Sequence, residues 1–126
     1  MKIHLRLFAV FVSIFLLISC SKDNVDKHND LLGVWERTEL NTDFTNTFTL
    51  VFGSNNTGLK IYKNVTSDGE TSSANSFNWK AIGKKVTLLE NNSEETYIIS
   101  NEGELVLSTS NDFFLIKVSD DYSSYY

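Results

Sequence analysis

Several residue types that often carry chemistry are scarce in this chain of 126 residues. Proline is absent, Cys20 is the one cysteine, and the two histidines are His4 and His28. A single cysteine excludes an intramolecular disulfide and a thiolate metal site. After residue 28 the chain also lacks the commonest general base and metal ligand, which is histidine. We therefore expect no metal site and no catalytic residues.

Positive charge is scarce as well, since the net charge is −5 and no basic cluster stands out. An acidic surface repels phosphate backbones and anionic headgroups, so we expect no nucleic-acid partner. Apolar residues are plentiful, with 41% hydrophobic and 13% aromatic residues. A disordered chain has fewer of both, and the length fits one folded domain.

The first residues have the pattern of an export signal. Lys2 and Arg6 accompany an apolar run over residues 7–18, which is 12 residues long. A bilayer-spanning helix needs roughly 20 apolar residues, so the run has the length of a signal peptide. Leu17-Ile18-Ser19-Cys20 ends it and resembles the bacterial lipobox. The resemblance implies cleavage before Cys20, diacylglycerol on its thiol, and an acyl chain such as palmitate on its new amine.

Residues 20–30 are polar and are expected to form a tether of roughly 30 Å when extended. Loss of Lys2 and Arg6 with residues 1–19 brings the net charge to −7. Lys22-Asp23 resembles the charged export signals of Bacteroidetes surface lipoproteins. We therefore predict an outer-membrane lipid anchor, facing either the periplasm or the cell surface.

From residue 31 to residue 118 apolar and polar residues alternate with a period of two, which is typical of β-strands. A long polar loop is predicted over residues 66–75, and a polar, tyrosine-rich tail over residues 119–126. Such short strands with short turns predict an all-β domain, an eight-stranded antiparallel up-and-down barrel or a barrel-like sandwich. The predicted strands are Val34–Leu40, Asn46–Phe52, Leu59–Val65, Ser76–Ile82, Val86–Glu90, Thr96–Ser100, Leu105–Thr109 and Phe113–Val118.

Short motifs recur in a recognisable order along this domain. They are Leu32-Gly33-Val34-Trp35, Phe52-Gly53 through Gly58, Phe77-Asn78-Trp79 leading to Gly83, Leu105-Val106-Leu107 and Phe113-Phe114. Their order resembles that of lipocalins and of the short lipocalin-like domains of Bacteroidetes lipoproteins, over residues 32–118. The resemblance implies that Trp35 closes the barrel floor against a basic residue of the last strand. Here that residue is Lys117, where lipocalins have an arginine.

The inward-facing residues are the candidate site. They either fill a core or line a pocket for a small apolar guest. If Trp35 faces inward, alternation directs Arg37 and Glu39 inward too, so this pair either lines a wet pocket or lies at the rim or outside. The predicted inner residues are Trp35, Phe48, Leu50, Phe52, Ile61, Phe77, Trp79, Leu88, Ile99 and Leu107.

Three functions remain open at this point. The first is a non-catalytic lipocalin-like lipoprotein that binds a small hydrophobic ligand. The second is a protein-interaction or inhibitor module that acts through loops such as residues 66–75 and the tail, and the third is a structural envelope component. We do not expect an enzyme, because no carboxylate pair is identified that would flank a cleft. No cofactor is expected beyond the lipid on Cys20, and the acidic turn residues (Asp68, Glu70, Glu102 and Glu104) lack the spacing of a calcium loop.

Overall fold

The computed structural model describes residues 30–126 and contains eight β-strands. The predicted signal peptide, Cys20 and most of the tether lie outside the described residues. Among residues 30–126 no helix has the length and apolar character needed to cross a membrane. A short 3₁₀ helix, Ser123–Tyr125, follows the strands. The strands are β1 (Gly33–Leu40), β2 (Phe44–Phe52), β3 (Thr57–Thr66), β4 (Gly69–Ile82), β5 (Lys85–Glu90), β6 (Ser93–Ile99), β7 (Leu105–Leu107) and β8 (Phe114–Ser119).

The strands form a closed barrel in which each pairs antiparallel with the next. The prediction of an eight-stranded up-and-down barrel is therefore confirmed. Closure comes from β1 and β8, through pairs such as Trp35 with Lys117. Closure pairs the backbone N–H and C=O groups that the edge strands of an open sheet would leave without partners. Both neighbours of every strand lie within residues 33–119, so the barrel needs no other segment of the chain to close.

Because the barrel is an up-and-down meander, its turns alternate between two ends. One end carries the connections 41–43, 67–68, 91–92 and 108–113, and we call it the mouth. The other end carries the connections 53–56, 83–84 and 100–104 together with the start of β1, and we call it the floor. The wall is uneven, because β4 has 14 residues while β7 has only 3.

The β3–β4 hairpin corrects one prediction. Residues 66–75 do not form a long loop, since β4 begins at Gly69 and pairs continuously with β3 from Thr66–Gly69 to Thr57–Asn78. Only Ser67 and Asp68 form the turn. The residues of this part of β4 are polar and exposed, so no alternation of apolar residues predicts a strand here. The segment is extended because its backbone pairs with β3. The other strand ends differ from the prediction by at most three residues.

Gly33 allows β1 and β8 to meet where the barrel closes. Its φ is +131°, a conformation that side chains disfavour, and an added Cβ would lie 2.3 Å from the carbonyl oxygen of Ser119. Only glycine fits such a close approach between backbones. The glycine of the sequence Leu32-Gly33-Val34-Trp35 therefore has a steric cause in this fold.

Candidate binding site at the mouth of the barrel

The floor half of the barrel is filled with side chains. The Phe52 ring meets Phe77 at 5.5 Å and Trp79 at 5.8 Å, both edge to face. Burying each large apolar side chain contributes about 1.5–3 kcal/mol. The buried cluster contains Leu31, Trp35, Phe48, Leu50, Phe52, Phe77, Trp79, Val86, Leu88, Tyr97, Leu105 and Leu115, with Ile99 and Leu107 partly buried against it.

Nine of the ten predicted inner residues thus belong to this cluster or pack on it, and Ile61 is the exception. Ile61 pairs with Thr49, whereas Leu50 of the core pairs with Lys60. Residues that face each other across antiparallel strands lie on the same side of the sheet. The placement of Ile61 inside the barrel was wrong, and the next residue, Lys60, lies inside in its stead.

Trp35 and Lys117 come together at the floor, where the resemblance places them. The Lys117 ammonium lies 5.9 Å from the centre of the Trp35 ring and donates a hydrogen bond to the Asp30 carbonyl at 2.8 Å. The Trp35 indole donates to the Leu31 carbonyl at 2.8 Å. A cation at about 6 Å is at the outer limit of attraction to the ring face. The hydrogen bond from Lys117 thus fixes Asp30, the first described residue, at the floor of the barrel.

The mouth half is open and contains a cavity of about 460 Å³. This is within the size range of small-molecule sites. The lining combines aromatic rings with amide, hydroxyl and charged groups, and most of it comes from the inner faces of β1 to β4. The lining residues are Arg37, Glu39, Asn46, Thr47, Phe48, Tyr62, Lys63, Asn64, Thr71, Ser72, Ser73 and Phe113.

Three aromatic rings form the apolar part of this cavity. The Phe48 ring lies 4.8 Å from Tyr62 and 5.5 Å from Phe113, tilted in both cases. Phe48 is buried, while Tyr62 is half exposed towards the mouth. Tilted and edge contacts of this kind are favourable and leave ring faces open to a third group. The three rings therefore form an apolar surface that extends from the core into the cavity.

Arg37 and Glu39 line the same cavity, so the alternative of a wet pocket describes their position. The Arg37 Nη2 lies 3.0 Å from Glu39 Oε1, and its Nη1 donates to the Asp112 carbonyl at 2.9 Å. The guanidinium carbon is 4.9 Å from the centre of the Phe113 ring. Both side chains reach solvent, with exposed fractions of 26% and 54%. Water access removes the penalty of a dry ion pair.

The amide groups of Asn46 and Asn64 meet on the inner face of the β2–β3 wall, where the Asn64 amide donates to the Asn46 carbonyl. Neither residue was predicted from the sequence as part of the site. The available signal was that Asn46 precedes Phe48 by two positions, which places it on the same face. For Asn64 and Tyr62 the signal is the β2–β3 register, which local patterns do not reveal.

Below the mouth, Lys60 forms an ion cluster inside the barrel. Its ammonium lies 3.1 Å from Glu90 and 3.4 Å from Glu95, and the Tyr97 hydroxyl donates to Glu95 at 2.6 Å. Burial alone would lower the pKa of Lys60, but the hydrogen bond to Glu90 and the charges of Glu95 and Glu90 outweigh burial and raise it. Burial, with the Glu95 hydrogen bond, raises the pKa of Tyr97.

A second cavity of about 360 Å³ borders this cluster, with Leu88, Glu94 and Asn91 among its lining residues. Within residues 30–126 no group of three or more His, Cys, Asp or Glu side chains is arranged to hold a metal ion. The larger cavity can exclude part of the water around a small guest, offer it ring faces, and provide hydrogen-bond donors and acceptors.

In comparisons with known proteins, no family model matches the chain, and no curated protein or solved structure matches it significantly.

Proposed function

We propose that this chain is a lipid-anchored envelope protein that binds a small amphipathic molecule in the mouth of a lipocalin-like barrel. The observation that carries the proposal is the open cavity of about 460 Å³ beside Phe48, Tyr62 and Phe113. Its ring faces suit an apolar body, and its amide and hydroxyl groups suit a polar end. The proposed role is non-catalytic.

The filled floor half determines where such a guest would bind. Leu50, Phe52 and Leu105 are completely buried there, so a deep apolar ligand would have to displace packed side chains. Displacing well-packed residues costs more than filling an existing cavity. The proposed guest is therefore held near the mouth and keeps one end in contact with water.

The test uses N-phenyl-1-naphthylamine, a neutral dye that becomes fluorescent in apolar surroundings. We expect residues 21–126, which contain the whole closed barrel, to bind it saturably at about one dye per chain. Ser73→Trp should abolish binding, because Ser73 lines the cavity and a large ring there would fill it. Ser76→Trp is the matched control, because Ser76 pairs with Leu59 on the outer face of the same strand.

No binding by the folded protein, or equal binding by both tryptophan variants, would contradict a ligand site in the mouth. The protein-interaction or inhibitor function would then take its place. The segment first expected to act as its loop, residues 66–75, lies mostly in the β3–β4 hairpin. The search for partners would therefore begin with that hairpin.

A further inference from the structure

The connection between β7 and β8 holds the Arg37 side chain in position in the cavity. Its Nη1 donates to the carbonyl of Asp112, and its guanidinium lies over the Phe113 ring. The loop that supplies both groups is itself hydrogen-bonded, from the Phe113 amide to the Ser110 carbonyl at 3.1 Å and from the Leu107 amide to the Phe113 carbonyl at 2.9 Å. The guanidinium is therefore oriented before any ligand arrives, which lowers the entropy cost of binding one.

The ion pair between Glu39 and this guanidinium is weak. Both Nε and Nη2 of Arg37 approach the same Glu39 oxygen, at 3.1 and 3.0 Å. With the bond to Asp112, at most three of the five guanidinium N–H groups have a partner among residues 30–126. The Glu39 side chain is 54% exposed, and an ion pair so open to water contributes little. A second carboxylate can therefore replace it at small cost.

The charges around the cavity favour an anion over a cation. Lys63, the other cation of the lining, is paired with Glu70 at 3.0 Å, and both side chains are about half exposed. Glu90 and Glu95 both pair with Lys60 below the mouth, and the one negative charge left over lies outside the cavity lining. Glu39 is the one acid in the cavity lining, and it already balances Arg37. A cationic guest would have to take Glu39 away from Arg37, whereas an anionic guest takes the place of Glu39.

The apolar body of such a guest also has a defined place. Phe113 contacts both the Arg37 guanidinium and the Phe48 ring, so the charged and aromatic parts of the cavity adjoin. We propose that the ligand is an anionic amphiphile, whose carboxylate or similar single negative charge binds Arg37 while its apolar body packs on Phe48, Tyr62 and Phe113. This inference rests on the proposed function and specifies the class of ligand.

Two dyes that differ by one charged group test it. Anilinonaphthalene sulfonate has the rings of N-phenyl-1-naphthylamine plus a sulfonate. We expect residues 21–126 to bind the sulfonate dye at least about 10-fold more tightly than the neutral dye, the increment of a charge-assisted hydrogen bond. Arg37→Gln should remove that advantage and change the affinity for the neutral dye by less than about twofold.

Glu39→Gln should act in the opposite direction. It removes the carboxylate that competes for Arg37, so the affinity for the sulfonate dye should rise several-fold while that for the neutral dye stays unchanged. A purely structural effect of either variant would shift both dyes together. Lys80→Gln is the control for general charge, because Lys80 is exposed on β4 and does not line the cavity, so the difference between the dyes should stay intact.

The outcomes separate the two proposals. If neither dye binds the folded protein, the proposed function fails. If both dyes bind equally well and Arg37→Gln changes neither, the mouth binds ligands but the anion inference is overturned. If Arg37→Gln does not fold, as judged by circular dichroism, Glu39→Gln decides, and an unchanged affinity for the sulfonate dye would overturn the inference.

Discussion

Lys60 lies inside the barrel with only 8% of its surface exposed. A buried ammonium is costly unless its charge is matched and its hydrogen bonds are satisfied. Glu90 and Glu95 supply two negative charges against the one positive charge of Lys60, and Tyr97 donates to one further acceptor position of Glu95. Among the described residues that are not exposed, no buried side-chain nitrogen or oxygen lacks a partner. The cluster is therefore a fully connected polar network above an apolar core.

This network predicts a loss of stability at alkaline pH. Both Lys60 and Tyr97 have raised pKa values in the folded state, so they keep protons that the unfolded chain loses from about pH 10 upwards. The free energy of unfolding should therefore be constant from pH 7 to about pH 9.5 and fall above about pH 10. Urea unfolding followed by circular dichroism at several pH values measures it.

Tyr97→Phe should remove part of that alkaline slope, because phenylalanine has no proton to retain. The variant should also cost about 1 kcal/mol at pH 7, the value of one hydrogen bond, because Glu95 loses one of its two donors. An alkaline slope in Tyr97→Phe equal to that of the parent protein would contradict the role assigned to Tyr97.

The Lys60 cluster also shows a residue position that the local alternation of apolar residues did not predict. Leu59 and Ile61 alternate in the manner of an inner face, so the pattern placed Lys60 outside. The correct register depends on β2, and the partners of Lys60 lie 30 and 35 positions further along the chain. By contrast, Trp35 and Phe52 lie in the core as predicted, because each large apolar ring follows the alternation of its own strand.

At the scale of elements, the β3–β4 hairpin shows that a strand need not carry an apolar stripe. Residues 69–76 are all exposed, and they remain extended because each pairs with β3. The local signal that was available is Asp68-Gly69, a dipeptide typical of hairpin turns. The eight-strand pattern itself was predictable, because each of the other turns contains asparagine or glycine.

The tail is an element of the floor and not a free end. The Tyr126 hydroxyl donates to the Thr57 carbonyl at 3.2 Å and lies against Gly53, while its ring meets Tyr122 edge to face at 5.9 Å. The Thr57 carbonyl also accepts from the Trp79 indole at 3.1 Å. The tail therefore covers the part of the floor where the β2–β3 turn meets the core.

Deleting residues 122–126 should lower the free energy of unfolding by about 1 kcal/mol, since it removes one hydrogen bond and a modest apolar contact. For a domain of this size that corresponds to a fall in Tm of about 4–8 °C. Dye binding should not change, because the tail lies at the floor and the cavity at the mouth. Tyr126→Phe isolates the hydrogen bond and should have part of the effect. An unchanged Tm in the deletion would show that the contact contributes nothing.

At the scale of the whole molecule, the mouth and the start of the described chain lie at opposite ends. The Asp30 carbonyl accepts from Lys117 at the floor, next to Trp35. Nine residues lie between Cys20 and Asp30, and the ten Cα–Cα steps that join the two span at most about 35 Å when extended. If Cys20 carries the lipid, the tether joins the barrel at its floor, and the mouth is the end farther from the point of attachment. Such an attachment leaves the mouth free for a ligand from the aqueous side, which agrees with a cavity that is wet at one end.

The anchor itself is tested by replacing the one cysteine. Cys20→Ala should leave either a precursor that keeps residues 1–19 or a protein in the soluble fraction, because alanine has no thiol to accept diacylglycerol. Labelled palmitate should enter the parent protein and not the variant, and mass spectrometry of the N-terminus should show cleavage before Cys20 in the parent alone. Two or three acyl chains hold a protein firmly on a membrane, at about 0.8 kcal/mol per buried CH₂, so the parent should stay with the membranes through a high-salt wash. A Cys20→Ala variant that is cleaved at the same position and recovered with the membranes to the same extent would show that attachment does not depend on lipid at Cys20.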